Sequence, residues 1–552
     1  MVGSTEFVYL FNCERCSHFL GCILFARIKL KTNDMRIRSN PVILLFGLIT
    51  MITAFGQELP RTYKAPEFDL EWRKPTNHPD RIVLSYGEDP ATSASATWRT
   101  SSEIDTAYAE IAIATAAPKF WRNAKTIKAS TTTFDATNIN EAEVLANYHS
   151  VWFTDLQSDT TYAYRVGDGK RWSEWIQFKT APKEGKDKFS FLYVGDTQNF
   201  ILELWSRLIR ESYKKAPDAK FIVHAGDLVN NAHNEQQWQE WFDAGGWIHA
   251  SIGAFPIPGN HEYRKLSPEA TDRSLSLQWK HQFSLPENGP EGLKETAYYM
   301  DYQNMRIIGL DSNVDHEKQA KWVEKVLSET DKDWKIVTFH HPLFSASDGR
   351  DNKEWRELMK PIFDKYDVDL VLQGHDHSYA RGRVSPNENV LDGVNMRDKT
   401  GAVYVVSVSG GKMYGLRKNA WEDYDAERDR AAENTQLFQV ITVEDNKLSF
   451  ESYTAVGELY DAFDLIKKEG SPNQFVERNK EAIAERRFSN TIPYQDPLPE
   501  GVEESLLSKY PGFEVSGVNF VNDKDFTGYR VRLDKGEERK ELTLDVNGKI
   551  LD

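Results

Sequence analysis

From about His78 to Pro182 the chain alternates apolar and polar residues in short runs broken by turn residues. This period of two predicts half-buried strands over Ile82–Tyr86, Ala94–Trp98, Tyr108–Ile113, Ser150–Thr154, Thr161–Val166 and Trp175–Lys179. Several short strands at this spacing predict a β-sandwich, and the run from Leu156 to Tyr162 fits a tyrosine corner, with Trp98 as a core residue. The charged run Lys183–Lys188 marks a boundary. Beyond it the pattern changes. The strand-like runs 189–194 and 220–225 are each followed by apolar residues at helical spacing, in 201–215 and 236–247, and further helices are expected over 317–327 and 354–366. Strands alternating with helices indicate an α/β unit with buried sheets. Strands return over 402–408, 436–443 and 447–453, and Gly410-Gly411 marks a turn or a tight backbone approach. The polar, Pro-containing stretch 471–499 reads as a linker. The tail reads as a helix over Val502–Tyr510, strands over Phe513–Phe520, Thr527–Leu533 and Lys540–Val546, and an Asn547-Gly548 turn.

Length changes this picture little: 552 residues suit two to four domains. The net charge of -16 matters more. It argues against a nucleic-acid partner, whose footprint is a basic patch, yet still permits phosphate binding where metal charge overrides the global field. Near the start, the basic Met35–Arg38, the apolar Val42–Phe55 and the small residues around Ala54-Phe55-Gly56 follow the order of a secretory signal, about residues 35–56. The apolar run is short for a bilayer span. A secreted or periplasmic protein without stable membrane insertion after cleavage is therefore expected. Residues 1–34 make no physical sense ahead of such a signal, so Met35 is the expected true start. All three cysteines, Cys13, Cys16 and Cys22, lie in that segment, so no disulfide is expected in the mature chain.

The candidate chemistry lies in the middle. Five motifs each close an apolar run: Gly195-Asp196-Thr197-Gln198, Gly226-Asp227-Leu228, Gly259-Asn260-His261-Glu262, His340-His341 and Gly374-His375-Asp376-His377. Ligands in open α/β sheets gather at the carboxyl ends of strands. Singly, each motif is weak: an aspartate after a strand is usually a helix cap, and a lone histidine is usually a core residue. Jointly they supply Asp, Asp, Asn and three His, enough to hold two metal ions side by side. Such a pair activates water and neutralises the charge that develops as a phosphate ester is cleaved. Glu262 is expected to orient its neighbours. His224, His233 and His281 lack motif partners and read as structural. The loop 345–351, with Asp348 and Arg350, could reach substrate or be a solvated turn.

The ordered motifs resemble the metallophosphoesterase superfamily, and with the front sandwich they resemble its purple acid phosphatase branch, over roughly His78 to Lys468. The resemblance implies an α/β fold: an αββα metallophosphatase sandwich (188–468) preceded by an all-β fibronectin-III-like sandwich (61–182). These follow an N-terminal extension and signal (1–60), and a linker (469–497) and small α+β domain (498–552) come after. It implies that Asp196 and His377 hold one metal, that Asp227 bridges, and that Asn260, His340 and His375 hold the second. His261 would contact the phosphate and protonate the leaving oxygen while a metal-bound hydroxide attacks in line. Two departures stand out. Asn230 occupies the position of the tyrosine that gives purple enzymes their colour, so a colourless enzyme is expected. Gln198 stands where many superfamily members place a histidine ligand, and would coordinate weakly or through water. The metals expected are two ions, divalent or mixed-valence, of iron, zinc or manganese. The implied activity is a phosphomonoesterase acting on a small phosphate ester. A phosphodiesterase or nucleotide pyrophosphatase on the same site, or an inactive binding protein, are the alternatives. The tail resembles PepSY-like modules, which implies binding or regulation by an unspecified partner.

Overall fold

The buried strand-ends of the central segment are gathered by two facing sheets. The structure, a computed structural model, describes residues 74–551 apart from 140, 268, 348, 385–398, 418–420, 422–423, 425, 488–497, 500, 523–526 and 536–537. The expectations about residues 1–60, and Asp348, lie outside the described residues. One sheet has twelve strands and carries Phe189–Val194, Phe221–His224 and Gly253–Pro256 as parallel neighbours at its centre. The second has seven, with Met305–Gly309, Trp334–Phe339, Leu370–Gln373 and Val403–Val406 in parallel. These central strands are buried almost throughout, as expected where both faces are covered. Between the sheets, Phe191, Tyr193 and Phe221 meet Ile307, Ile336 and Leu370 in one core. Helices Ser206–Lys215 and Glu235–Gly245 add Leu208, Ile209, Trp238 and Trp241 to that core. Helices His316–Ser328 and Lys353–Lys365 bury Val323, Trp355, Met359 and Phe363 against Val337, Phe339 and Val371 of the second sheet. The layers are thus α, β, β, α, as expected.

The front sandwich packs Lys125–Lys128, Tyr108–Ile113, Thr161–Gly167 and Ile176–Lys179 against Asp80–Tyr86, Ala94–Ser101, Leu145–Phe153 and Ser130–Asp135. Trp98 is fully buried in it. The tyrosine corner forms, with the Gln157 amide donating to the Tyr162 hydroxyl at 2.8 Å. Two strands escaped the periodicity, Lys125–Lys128 and Ser130–Asp135, because both run at sheet edges and expose most of their side chains. The front sheet is also continuous with the larger one: Asp80–Tyr86 pairs parallel with Gly253–Pro256, Ser85 opposite Ala254.

Ser471–Glu477, read from its polarity as the start of the linker, is instead a strand. It pairs antiparallel with Leu459–Lys468, and only Phe475 of its side chains is deeply buried. A strand near the sheet margin, covered on its outer side only by the short strand Lys399–Thr400, needs no apolar alternation when its ladder supplies the hydrogen bonds. The tail forms the helix Val502–Lys509 and three antiparallel strands, Glu514–Asn522, Thr527–Lys535 and Glu538–Asp545, around Leu506, Val531, Leu533 and Leu544. Among the described residues, no helix is long and apolar enough to cross a membrane.

Candidate metal centre

Each predicted motif lies just past the end of a buried strand, and the loops converge between the sheets. Two of the site residues sit in left-handed backbone, Asp227 at φ +52° and His375 at φ +74°. Such strain concentrates at functional sites. The glycines ahead of them let the loops interleave. A Cβ on Gly374 would lie 2.5 Å from Asp196 Oδ1, and one on Gly259 would lie 2.2 Å from Asp227 Oδ1. Gly410 packs as closely beneath the first loop, its amide donating to the Asp196 carbonyl at 2.7 Å.

Asp227, His340 and His375 each bring a ligating atom within 4.8 Å of the others. The tautomer of His340 is fixed by its second nitrogen. Nδ1 is 2.9 Å from the Ala225 carbonyl, which can only accept, so Nδ1 carries hydrogen and Nε2 of the neutral ring presents a lone pair. That lone pair faces Asp227 Oδ2 at 3.2 Å and Asn260 Oδ1 at 3.1 Å, with His375 Nδ1 at 3.2 Å. His375 Nδ1 is in turn 2.8 Å from Asn260 Oδ1. Acceptors that face one another in a dry site repel unless something positive lies between them. A proton is one remedy. Burial alone would lower the His340 pKa, but Asp227 and Asp196 override it and raise it to about 9. A metal cation is the other.

A second convergence flanks the first. His377 donates from Nδ1 to the Lys412 carbonyl at 3.0 Å, leaving Nε2 to face Asp196 Oδ2 at 3.6 Å. Asp196 Oδ2 is buried without a hydrogen-bond partner, which a proton on His340 does not remedy. Burial, only partly offset by His340, pushes the Asp196 carboxyl up to about 7. His377 is held down to about 3, mainly by burial, so its lone pair is free. Gln198 enters the site donor-first: Nε2 donates to Asp227 Oδ2 at 2.9 Å and lies 3.2 Å from His377 Nε2. Its Oε1 is buried and unpartnered. Coordination through that oxygen would require the amide to turn over.

His261 is only half-buried, with 26 % of its side chain accessible. Its Nδ1 donates to the Asn230 carbonyl at 2.6 Å, and Nε2 lies 3.9 Å from Asp227 Oδ2. Glu262 orients its neighbours as expected. Its carboxylate accepts from the amides of Asp227 (2.8 Å), Leu228 (2.8 Å), Val229 (3.2 Å) and Gly259 (2.7 Å), pinning the Asp227 and Asn260 loops together. Residues 345–347 of the 345–351 loop are buried, while Gly349 and Asp351 are exposed. Asp376 accepts from Ser345 Oγ at 2.8 Å and from the Ala346 amide at 2.7 Å, and Arg350 donates to the His375 carbonyl. His224 packs in the core among Trp205 and Trp241, and the half-buried His281 packs against Phe134 and Tyr148. Tyr414, whose ring lies 4.7 Å from His377, and Lys412 were not foreseen. They sit just past Gly410-Gly411, the one signal that could have pointed to them.

Two segments of the chain match known family models. Residues 189–379 match the calcineurin-like phosphoesterase family, and residues 79–180 match the purple acid phosphatase N-terminal domain, so the chain carries both modules. A purple acid phosphatase of Glycine max is 28% identical over 296 residues, 50% of this chain and 62% of that protein. The Fe(3+)-Zn(2+) purple acid phosphatase 12 of Arabidopsis thaliana is 27% identical over 290 residues, 49% of this chain and 60% of that one. The chain thus spans about three fifths of the length of these curated relatives. In fold, it resembles the purple acid phosphatase from yellow lupin (Lupinus luteus) seeds, with a TM-score of 0.59 at 19% identity over 71% of this chain and 75% of that one.

Proposed function

We propose that the chain is an exported phosphohydrolase with two metal ions that cleaves small phosphate monoesters. The observation that carries this reading is the meeting of His340 Nε2 with Asp227 Oδ2 and Asn260 Oδ1 at 3.1–3.2 Å, beside the unpartnered Asp196 Oδ2. Acceptors gathered this closely suit a cation, and nitrogen with carboxylate and amide oxygen suits iron, zinc or manganese. Asp196 and His377 would hold one ion, Asn260, His340 and His375 the other, with Asp227 shared. Gln198 would join the first only after its amide turns. When bound, the ions supply activated water and charge neutralisation.

The chain's own residues do the rest. The Asn230 carbonyl turns the His261 ring so that Nε2 faces the centre, where, with the ring protonated on both nitrogens, it can donate to a phosphate oxygen and pass the Nε2 proton to the leaving oxygen. Glu262 fixes the bridging loop, so the ligands need little reorganisation. The Asn230 carbonyl accepts from His261 Nδ1, and as asparagine the residue offers no phenolate; a colourless protein follows from that reading. The signal at about 35–56 would export the chain.

The test is metal analysis together with turnover of 4-nitrophenyl phosphate and bis(4-nitrophenyl) phosphate. Two bound ions and preference for the monoester support the reading. Preference for the diester would reassign the site to phosphodiester chemistry, and a metal-free, inactive protein would favour a binding role.

A further inference from the structure

A pocket of about 400 Å³ opens beside the metal centre, lined by Glu141, His233, Arg264, Lys265, Ser267 and Arg273 among others. Its walls grow from the two loops that hold His261. One is the stretch after Asp227, whose Asn230 carbonyl fixes the His261 ring. The other is the hairpin that follows Glu262, where Tyr263 pairs with Leu275 and Arg264 with Ser274. Arg273 ties the pocket to the centre directly, donating from Nη2 to the Asn260 carbonyl at 2.5 Å.

The lining is basic in a strongly acidic protein. Glu141 meets Arg264 at 3.6 Å, the single carboxylate among the lining residues against three cations. Lys265 is exposed and has no ion-pair partner among the described residues. His233 is part of the lining, only 3 % exposed, with the Arg264 backbone beside its ring but neither ring nitrogen in a hydrogen bond of full geometry. Burial lowers its pKa more than the Arg264 backbone raises it, so the ring is neutral and under-used as a hydrogen-bonding group. A buried polar group left unpaired costs free energy that a ligand can recover. The sequence alone suggests a structural role for His233, but its position gives it a ligand to meet.

We propose that this pocket binds a second anionic group, a carboxylate or a second phosphate, carried on the leaving-group side of the substrate. This rests on the phosphomonoesterase reading and narrows it to phosphate esters of acidic alcohols or phenols. Arg264 and Lys265 supply the charge, Arg273 links the pocket to the Asn260 loop, and His233 supplies a directional hydrogen bond.

The test compares 4-carboxyphenyl phosphate with phenyl phosphate on the metal-loaded protein, and the matching phosphonates by calorimetry. The expected result is about a tenfold preference for the carboxylated member in kcat/KM and in affinity, lost at high salt. The double substitution R264Q/K265Q should cut the preference ratio by about tenfold, and K265E should invert it. Equal treatment of the two members by the parent protein, or a ratio unmoved by these substitutions, overturns the inference even if both esters are hydrolysed. Selective binding of the carboxylated phosphonate without hydrolysis of either ester would uphold the pocket and defeat the phosphomonoesterase reading.

Discussion

Two of the molecule's buried charge clusters are built on opposite rules. Around Arg381, every charge meets its complement. Arg381 grips Asp461 through two bonds of 2.9 Å, Asp429 at 2.9 Å and Glu477 at 2.8 Å, while Tyr379 donates to Asp461 at 2.7 Å. Phe463 and Phe475 flank the guanidinium. The knot joins strands of both sheets, since Tyr379–Arg383 and Glu427–Ala432 belong to one and Leu459–Lys468 and Ser471–Glu477 to the other. At the metal centre, acceptors face acceptors and Asp196 Oδ2 has no partner at all. A satisfied cluster holds the fold; an unsatisfied one awaits a ligand.

The sharpest way to break this contrast is at the centre. Asp227→Asn should lower turnover about a thousandfold or more by removing the shared carboxylate, while the far-ultraviolet spectrum stays native. Turnover within a few-fold of the parent would deny Asp227 its role. The converse substitution is Arg381→Leu, which leaves Asp461 buried and uncompensated. It should cost about 3–5 kcal/mol in urea unfolding, with the folded fraction keeping its metal content. An unchanged midpoint would show that the knot is ornamental.

Glu262→Gln tests the border between the two rules, because Glu262 is fully buried yet touches only backbone amides. A loss of about 10–100-fold in metal affinity or activity is expected, measured by competition with a chelator. The smallest effect is one of pH. Without metal, His340 has its pKa raised to about 9, so its stabilising charge is fully present below the ordinary histidine value of 6.5 and is lost as pH rises through about 9. Glu262, pushed up to about 8 by burial and by Asp227, acts in the same direction. Chelator-treated protein should therefore melt progressively lower between about pH 6.5 and 9. The metal-loaded protein should lack this slope, because its cations replace the proton.

Much of this was legible in the chain. Apolar runs closed by Gly-Asp, Gly-Asn or Gly-His located the ligand loops, because a buried strand must be apolar and a loop approaching a site must turn sharply. The long helices announced themselves by period, His316–Ser328 within a residue of expectation at each end. Glu262 was foreseen as an orienting group from its place beside His261. Three things were hidden. Ser471–Glu477 reads as polar linker, yet a neighbouring ladder makes it a strand. The Arg381 knot draws its acids from 48, 80 and 96 residues away, with no local signature. Gln198 was expected oxygen-first, but the carboxylate of Asp227 turns its amide inward.

The sequence by itself determined which side chains could serve a metal pair, and that each stands at the end of a buried strand, because periodicity and turn chemistry are local properties of the chain. Only the tertiary structure decided which acceptors face each other, how the front sandwich runs on into the larger sheet, and that the cations of one hairpin, Arg264, Lys265 and Arg273, meet the buried His233 around a pocket beside the Asn260 loop. Those outcomes depend on pairings between distant segments, whose register is set by the packing of the whole molecule.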